Sequence, residues 1–214
     1  MVSSGAFPII KHNKEESMPI KFNNASIRVG RKTIKFSDFP RLYCDYLRTR
    51  PTTRDVETEG ARLMKAKSFG SATAYSFVMS VFKWGGRTSG WVKQSLLRYH
   101  EGEKNAAKVL AKGIRRAIPS LKNGTCADAI DAIISIKGIG PAYGSKILRM
   151  LAPGKTAVYD KKLHEELNYG WDSAAYQKFC NDCIKVAAIL NKNKIGTHRW
   201  KAADVEAAIY GNLD

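Results

Sequence analysis

Apolar residues recur at helical spacing along most of the chain, and this pattern predicts a mainly α-helical protein. The segment 27–36 differs, because it alternates around a central glycine and predicts one small β-hairpin. The aromatic-rich third helix is predicted to end at Gly85-Gly86. The predicted helices cover residues 37–47, 54–67, 71–84, 91–100, 106–118, 127–136, 143–151, 161–167 and 176–190.

The chain is predicted to divide into two regions at the end of this hairpin. Residues 1–36 form an N-terminal arm that includes the hairpin, since residues 1–24 mix Gly, Pro, Ser, Asn and Lys without a period. Residues 37–214 form the helical region. With 214 residues and 44% hydrophobic content, the chain can bury a full core without disulfides.

Two of the predicted helices flank the sequence Gly-Ile-Gly at 138–140. Glycines allow a tight reversal with positive φ and a close approach of the backbone to a ligand, and Pro141 suits the first turn of the following helix. Free N–H groups at a helix N-terminus form a phosphate site. The residues predicted to contact a nucleic-acid backbone are Lys137, Gly138, Ile139, Gly140, Ser145 and Lys146. The alternative is a helix-turn-helix corner that uses glycine for geometry alone.

The charge of the chain favours the phosphate-binding interpretation. There are 36 Lys and Arg residues against 19 Asp and Glu, which gives a formal net charge of +17. The excess is spread through predicted folded segments such as 41–54, 104–116 and 192–201, so it indicates a basic globular surface rather than a basic tail. A polyanionic partner is the simplest explanation.

Cysteine usage and hydropathy indicate an intracellular, reducing location, which would be the cytoplasm in a prokaryote. Cys180 and Cys183 lie on the apolar stripe of one predicted helix, and no second pair follows at metal-ligand spacing, so buried thiols are expected. No apolar run approaches the roughly 18 residues of a membrane span. The N-terminus lacks a signal-peptide pattern.

A loop and an acid follow the hairpin in a fixed order. The loop is Ala-Pro-Gly at 152–154, and the acid is Asp160. Hairpin, loop and aspartate together resemble the helix-hairpin-helix/Gly-Pro-Asp (HhH-GPD) superfamily of DNA glycosylases over residues 125–168, with the helix-hairpin-helix at 127–151 and the loop and acid at 152–160. Segments 82–86 and 200–210 are most similar to a subgroup assigned to 8-oxoguanine.

The resemblance implies an HhH-GPD glycosylase-like helical fold and a base-excision repair enzyme. Such an enzyme flips a damaged base out of double-stranded DNA and hydrolyses its N-glycosidic bond. Asp160 would stabilise the positive charge that develops on the deoxyribose and orient the attacking water. The alternative role of Asp160 is an N-cap of the helix 161–167, and the two roles are compatible. Candidates for the aromatic walls of a base pocket are Trp84, Tyr159, Trp91 and Trp171.

The sequence also departs from the family pattern. Bifunctional members carry a nucleophilic lysine two residues past the second hairpin glycine, where this chain has Ala142. A monofunctional, water-using glycosylase is therefore expected. Lys146 lies one helical turn further on. A solvated or phosphate-facing lysine is the favoured interpretation of it, and lyase activity through Lys146 is the alternative that stays open. Family members often hold a monovalent cation on hairpin carbonyls. Here a K⁺ or Na⁺ would lie on those of Ile134, Ile136 and Ile139, and no other cofactor is expected.

Two other functions remain open at this point. A non-catalytic helix-hairpin-helix protein would bind DNA through the same hairpin, although the intact Asp160 argues against it. An RNA-binding protein would explain the charge of +17 but not the ordered motif. The expected partner is a damaged DNA duplex bound by a monomer.

Overall fold

The computed structural model describes residues 20–23, 25–86 and 88–213, and these form a mainly helical protein with a small antiparallel sheet at its N-terminal end. The predicted helical class is therefore confirmed. Residues 1–19 of the predicted arm lie outside the described residues. The strands are β1 (Lys21–Phe22), β2 (Ser26–Val29) and β3 (Lys32–Lys35). The α-helices are α1 (Phe39–Thr49), α2 (Thr53–Lys65), α3 (Ser71–Gly85), α4 (Ser89–Tyr99), α5 (Glu103–Asn123), α6 (Cys126–Ile134), α7 (Pro141–Leu151), α8 (Lys161–Leu167), α9 (Ser173–Lys192) and α10 (Ala202–Asn212).

The predicted hairpin is confirmed and belongs to a three-stranded sheet of order β1-β2-β3. Ile27 lies opposite Ile34 in the β2–β3 pair, and both side chains are buried. Gly30 makes the turn with a φ of 57°. Strand β1 was not predicted, because its two residues belong to the segment without a period.

The helix boundaries follow local signals, with one exception at α5. The predicted helix 106–118 stops before Pro119, because proline removes a hydrogen-bond donor and favours a helix end. In the structure α5 continues through Pro119 to Asn123 and ends at Gly124 in the left-handed conformation. The long apolar face that α5 packs against its neighbours outweighs the local cost of the proline.

Helix α10 lies in the centre of the helical region and packs against α1 and α9. All residues from Ala202 to Ile209 are buried, including the charged Asp204 and Glu206. The Pro153 carbonyl in the Gly/Pro loop accepts the Ala203 N–H at 3.0 Å. The Ala-Pro-Gly loop at 152–154 therefore caps α10 and fixes its N-terminus beside the segment that leads to Asp160.

The predicted burial of the α9 thiols is confirmed. Cys180 and Cys183 are buried, and this desolvation raises the pKa of both thiols well above its ordinary value. Among the residues that the structure describes, no cluster of His, Cys, Asp or Glu could hold a metal ion. Within the same residues, no helix combines the length and the apolar character needed to cross a membrane.

Helices α2 and α7 cross in close contact at Gly60. A Cβ atom at this position would lie 2.0 Å from the carbonyl oxygen of Met150, which is backbone and cannot move aside. Gly60→Ala is therefore expected to lower the free energy of unfolding by at least about 2 kcal/mol, because the two helices must separate. Urea unfolding followed by circular dichroism measures the change.

Gly90 provides the matched control for this substitution. It lies in α4, and a Cβ atom there would have no neighbour within 4 Å. Gly90→Ala is expected to leave stability unchanged or to raise it by roughly 0.5 kcal/mol through helix propensity. Equal urea midpoints for the two variants would contradict the close crossing.

Candidate active site

The hairpin between α6 and α7 is a tight turn that packs against α4. Gly138 has a φ of 95°, and a Cβ atom there would lie 2.9 Å from the backbone N and Cα of Leu96. Gly140 has a φ of −90° and is the N-cap residue of α7. The expected positive φ is therefore confirmed at Gly138 and wrong at Gly140, since an N-cap residue takes an extended conformation.

The hairpin presents part of its predicted binding set to solvent. Lys137 and Gly140 are exposed, whereas the Ile139 side chain is buried in the core. The His100 ring contacts the Lys137 carbonyl oxygen at 3.1 Å, so the residue directly after α4 helps to fix the turn. Pro141 begins α7, whose first-turn N–H groups have no acceptor within the helix.

Ser145 belongs to the predicted binding set but is buried. Its hydroxyl accepts a hydrogen bond from the Tyr159 N–H at 2.9 Å and donates one to the Ala142 carbonyl at 2.9 Å. The contact expected with a phosphate therefore does not arise in this arrangement, because the hydroxyl is used inside the protein. Ser145 instead fixes the residue that precedes Asp160 against α7.

The extended segment 156–159 is buried and attached to three helices. The Thr156 hydroxyl donates to the Leu148 carbonyl at 2.8 Å, which holds the segment to α7. The Tyr176 hydroxyl on α9 donates to the Ala157 carbonyl at 3.0 Å, and a Glu206 carboxylate oxygen on α10 accepts the Val158 N–H at 3.4 Å. These bonds fix the point at which the segment ends.

Asp160 stands at the end of this segment and is the N-cap of α8. Its Oδ1 accepts the Leu163 N–H at 3.4 Å, so the capping role is confirmed. Asp160 also lines a narrow pocket that has room for about one water molecule. The pocket brings together Asp160 and two other predicted residues with five further side chains: its lining is Tyr46, Arg50, Trp84, Lys146, Val158, Asp160, Glu206 and Tyr210.

Trp84, a candidate for the wall of a base pocket, lines this pocket together with Asp160. Its indole N–H donates to the Thr53 hydroxyl at 2.9 Å, which fixes the ring. The Arg50 guanidinium carbon lies 5.4 Å from the ring centroid, and Arg50 also donates a hydrogen bond to the Trp84 carbonyl. Arg50 therefore covers part of the surface on which a flat ligand would stack.

Lys146 was predicted to be solvated or phosphate-facing, and in the structure it is partly buried. Its Nζ donates to the Gly85 carbonyl at 3.2 Å and lies 4.7 Å from the centroid of the Tyr143 ring. Desolvation lowers the pKa of this amine, and the negative charge of Asp160 partly opposes the effect. The end of α3 causes the difference, because it covers a side chain that α7 alone would leave in water.

Arg149 and Glu206 form the buried floor beneath the pocket. The guanidinium of Arg149 is fully buried and contacts Glu57 at 2.9 Å and Glu206 at 3.9 Å. Its guanidinium carbon lies 5.1 Å from the centroid of the Trp84 ring. Burial raises the pKa of Glu206 from 4.5 to about 8, and the positive charge of Arg149 limits the rise.

The other aromatic candidates do not join this pocket. Tyr159 is buried on the far side of its segment, where its hydroxyl donates to the Tyr169 carbonyl at 2.6 Å. Trp171 stacks on His164 at a centroid distance of 4.3 Å and lines a separate cavity with Tyr159. Trp91 is 77% exposed on α4.

The hairpin carbonyls fit the predicted monovalent cation in one respect. The Ile136 oxygen accepts the Ile139 N–H at 3.0 Å, and a carbonyl oxygen has a second lone pair for a cation. This contact does not involve Ile134, so the ligand set of Ile134, Ile136 and Ile139 stays a prediction. If bound, the ion would add positive charge at the turn.

Two glycine substitutions separate the structural and binding roles of the hairpin. Gly138→Ala is expected to lower the free energy of unfolding by about 2 kcal/mol or more, because it combines positive φ with a backbone clash. Gly140→Ala is expected to cost about 1 kcal/mol or less, since its position is open and its φ is negative. Urea unfolding measures both.

The Gly140→Ala variant also tests the phosphate site, in a fluorescence-anisotropy titration with duplex DNA. Gly140→Ala is expected to weaken binding about 3- to 10-fold, because a methyl group keeps a phosphate away from the exposed backbone. Gly154→Ala is the control, since this loop glycine is also exposed and open. Unchanged binding by Gly140→Ala would argue against phosphate contact at this turn.

Comparisons with protein-family models, with curated proteins and with solved structures find nothing that matches this chain. The resemblance to the glycosylases therefore rests on the hairpin, the Gly/Pro loop and Asp160. What the chain does is inferred below from the pocket side chains and their chemistry, because a fold alone does not define an activity.

Proposed function

We propose that this protein is a base-excision repair DNA glycosylase, with 8-oxoguanine as the lead substrate. One observation carries the proposal: Asp160 lies in an aromatic and cationic pocket whose wall includes Lys146, and Lys146 belongs to the helix that begins at the glycine hairpin. Lys146 is six residues from Gly140, which is about 9 Å along a helix axis. A DNA backbone at the hairpin would therefore lie close to the pocket.

The chemistry of the pocket suits cleavage of an N-glycosidic bond. Departure of the base leaves positive charge on the deoxyribose, and a fixed carboxylate such as Asp160 stabilises that charge. The cap position of Asp160 at the start of α8 fixes the place of this carboxyl group in the pocket. Tyr46, Trp84 and Tyr210 offer aromatic surface to a base that has left the stack.

The pocket is too narrow to hold a base without a rearrangement. It has room for about one water molecule, so a base can enter only after side chains move. Arg50 is the side chain to move, because it lies over Trp84 at the end of α1 and is partly exposed. The net charge of +17 supports the approach of DNA at long range.

Lys146 gives a specific reason to consider a second activity, strand cleavage by a lyase reaction. An amine attacks the sugar only in its neutral form, and desolvation of Lys146 favours that form. Lys146 lines the same pocket as Asp160, although Ala142 occupies the position of the family lysine. A glycosylase that also cleaves the strand is therefore the second candidate.

Asp160→Asn tests the main proposal. Duplexes that carry 8-oxoguanine, uracil, hypoxanthine or alkyladenine are incubated with protein, and strand breaks are measured with and without hot alkali. We expect breaks only after alkali, and a rate about 10²- to 10⁴-fold lower in Asp160→Asn, because the amide cannot stabilise the cation. Duplex binding should stay near wild type.

Asp172→Asn is the matched control, because Asp172 caps α9 with a 2.7 Å hydrogen bond from the Ala175 N–H. Asparagine caps helices as well as aspartate does, so both variants should fold. Equal activity loss in the two variants would indicate a folding effect. DNA binding without base release from any duplex would support the non-catalytic alternative.

Borohydride trapping tests the second candidate. If Lys146 attacks the sugar, borohydride should trap a covalent complex of the wild-type protein with an abasic duplex, because it reduces the Schiff base. Lys146→Arg should lose this complex. Lys137→Arg, at the exposed hairpin, should keep it. If the wild-type protein gives no trapped complex, the lyase candidate is contradicted and the water-using glycosylase is favoured.

A further inference from the structure

A second carboxylate, Glu206, faces the pocket from below. It is only 1% exposed and belongs to α10, where the neighbouring residues are buried and mostly apolar. It lines the same small pocket as Asp160 and Lys146. One of its oxygens accepts the Val158 N–H at 3.4 Å, which fixes the carboxyl group two residues from Asp160 in the segment above it.

The ionic contact between Glu206 and Arg149 is long. Arg149 contacts Glu57 at 2.9 Å but Glu206 at 3.9 Å, so its closer ionic partner is Glu57. Two guanidinium nitrogens of Arg149, Nε and one Nη, have no hydrogen-bond partner within the described residues. The titratable or charged groups that face Glu206 or share its pocket are Arg149 and Lys146 from α7, Asp160 from the start of α8, Tyr46 from α1, Arg50 directly after α1, Cys183 from α9, and Tyr210 one turn further along α10.

The two pocket carboxyl groups have opposite environments. Asp160 is partly exposed and caps the N-terminus of α8. Glu206 is buried, and its burial raises its pKa to about 8. Two acids held in such different surroundings are suited to different tasks, one as a proton donor and one as an anion.

We propose that Glu206 holds a proton in the free protein and donates it to the departing base while Asp160 stays ionised. This inference rests on the proposed glycosylase function. It assigns Glu206 as a catalytic acid and makes the reaction a two-carboxylate cleavage, in which one group protonates the leaving group and the other assists at the sugar.

The proposed reaction conserves protons and electrons. The bond between C1′ and the base nitrogen breaks, and its electron pair leaves with the nitrogen, which takes the proton of Glu206. Water adds to C1′ through its oxygen and gives a proton to Asp160. A proton then passes from Asp160 to Glu206 through the pocket water, so that the products are a free base, an abasic sugar and the starting protein.

The first test observes the proton in the free protein, without DNA. Carbon-13 NMR of glutamate carboxyl groups in the full chain is recorded across a pH series. One glutamate resonance is expected to titrate near pH 8 in the wild type, to be lost in Glu206→Gln and to persist in Glu165→Gln, whose side chain is 60% exposed on α8. If every glutamate titrates below about pH 6, as reference values suggest for ordinary sites, the inference is overturned.

The second test measures single-turnover base release from the panel duplex that the wild type processes. A catalytic acid must be protonated, so the wild-type rate should fall about tenfold for each pH unit above 8. Glu206→Gln should be about 10²- to 10⁴-fold slower, should lose that pH dependence and should bind DNA within about twofold of wild type. If Glu206 serves only as a counter-ion for Arg149, Glu206→Gln should change thermal stability but keep the wild-type pH dependence of base release.

The two tests separate this inference from the proposed function. A wild-type protein that releases no base from any duplex overturns the glycosylase and the catalytic role of Glu206 together, even if the resonance near pH 8 is present. Base release with a flat pH profile overturns the role of Glu206 and leaves the glycosylase standing. If Glu206→Gln fails to fold, the wild-type titration and pH profile still decide.

Discussion

The burial of Arg149 is the constraint on which the rest of the structure depends. A guanidinium stays charged in proteins, so its removal from water must be offset by partners. Glu57 on α2 and the ring of Trp84 on α3 supply them, and Glu206 on α10 lies 3.9 Å from the guanidinium. Loss of one partner of a buried ion pair costs about 3–5 kcal/mol, so these helices are held to α7 around one charge.

This arrangement joins the exposed hairpin to the pocket through one helix. The N-terminus of α7 presents the turn at Gly140, and the next turns carry Ser145, Lys146 and Arg149. Ser145 fixes the segment before Asp160, and Lys146 forms a wall of the pocket. A shift of α7 would therefore move the proposed phosphate site together with Lys146 and Asp160 in the pocket.

The sequence predicts the parts of the site that depend on local pattern. Helical periodicity and glycine positions are local signals, so the hairpin, the cap at Asp160 and the helix that carries Trp84 follow from them. Tyr159 was one of several aromatic candidates for the pocket wall, and the sequence alone did not choose between them. Successive side chains of an extended segment point to opposite faces, so Val158 and Asp160 face the pocket and Tyr159 faces away.

The remaining site residues depend on contacts between distant segments. Arg50 and Glu206 are separated by most of the chain, and an acid among alanines in a sequence usually indicates a solvated helix face. A signal was nevertheless present, because residues 202–209 are apolar on every side of a helix and such a helix is buried. Asp204 and Glu206 within it are therefore buried acids, which mark functional sites more often than surface acids do.

The position of Arg50 over Trp84 has a consequence for selectivity. In the proposed glycosylase, any base that enters the pocket would first have to replace a cation–π contact, which is worth about 1–2 kcal/mol when partly desolvated. Arg50 would then compete with the base for Trp84, and the affinity for every base would be reduced by the same factor of roughly 5 to 30. An intact base, which also loses its pairing and stacking, meets this threshold with less free energy to spare than a damaged one.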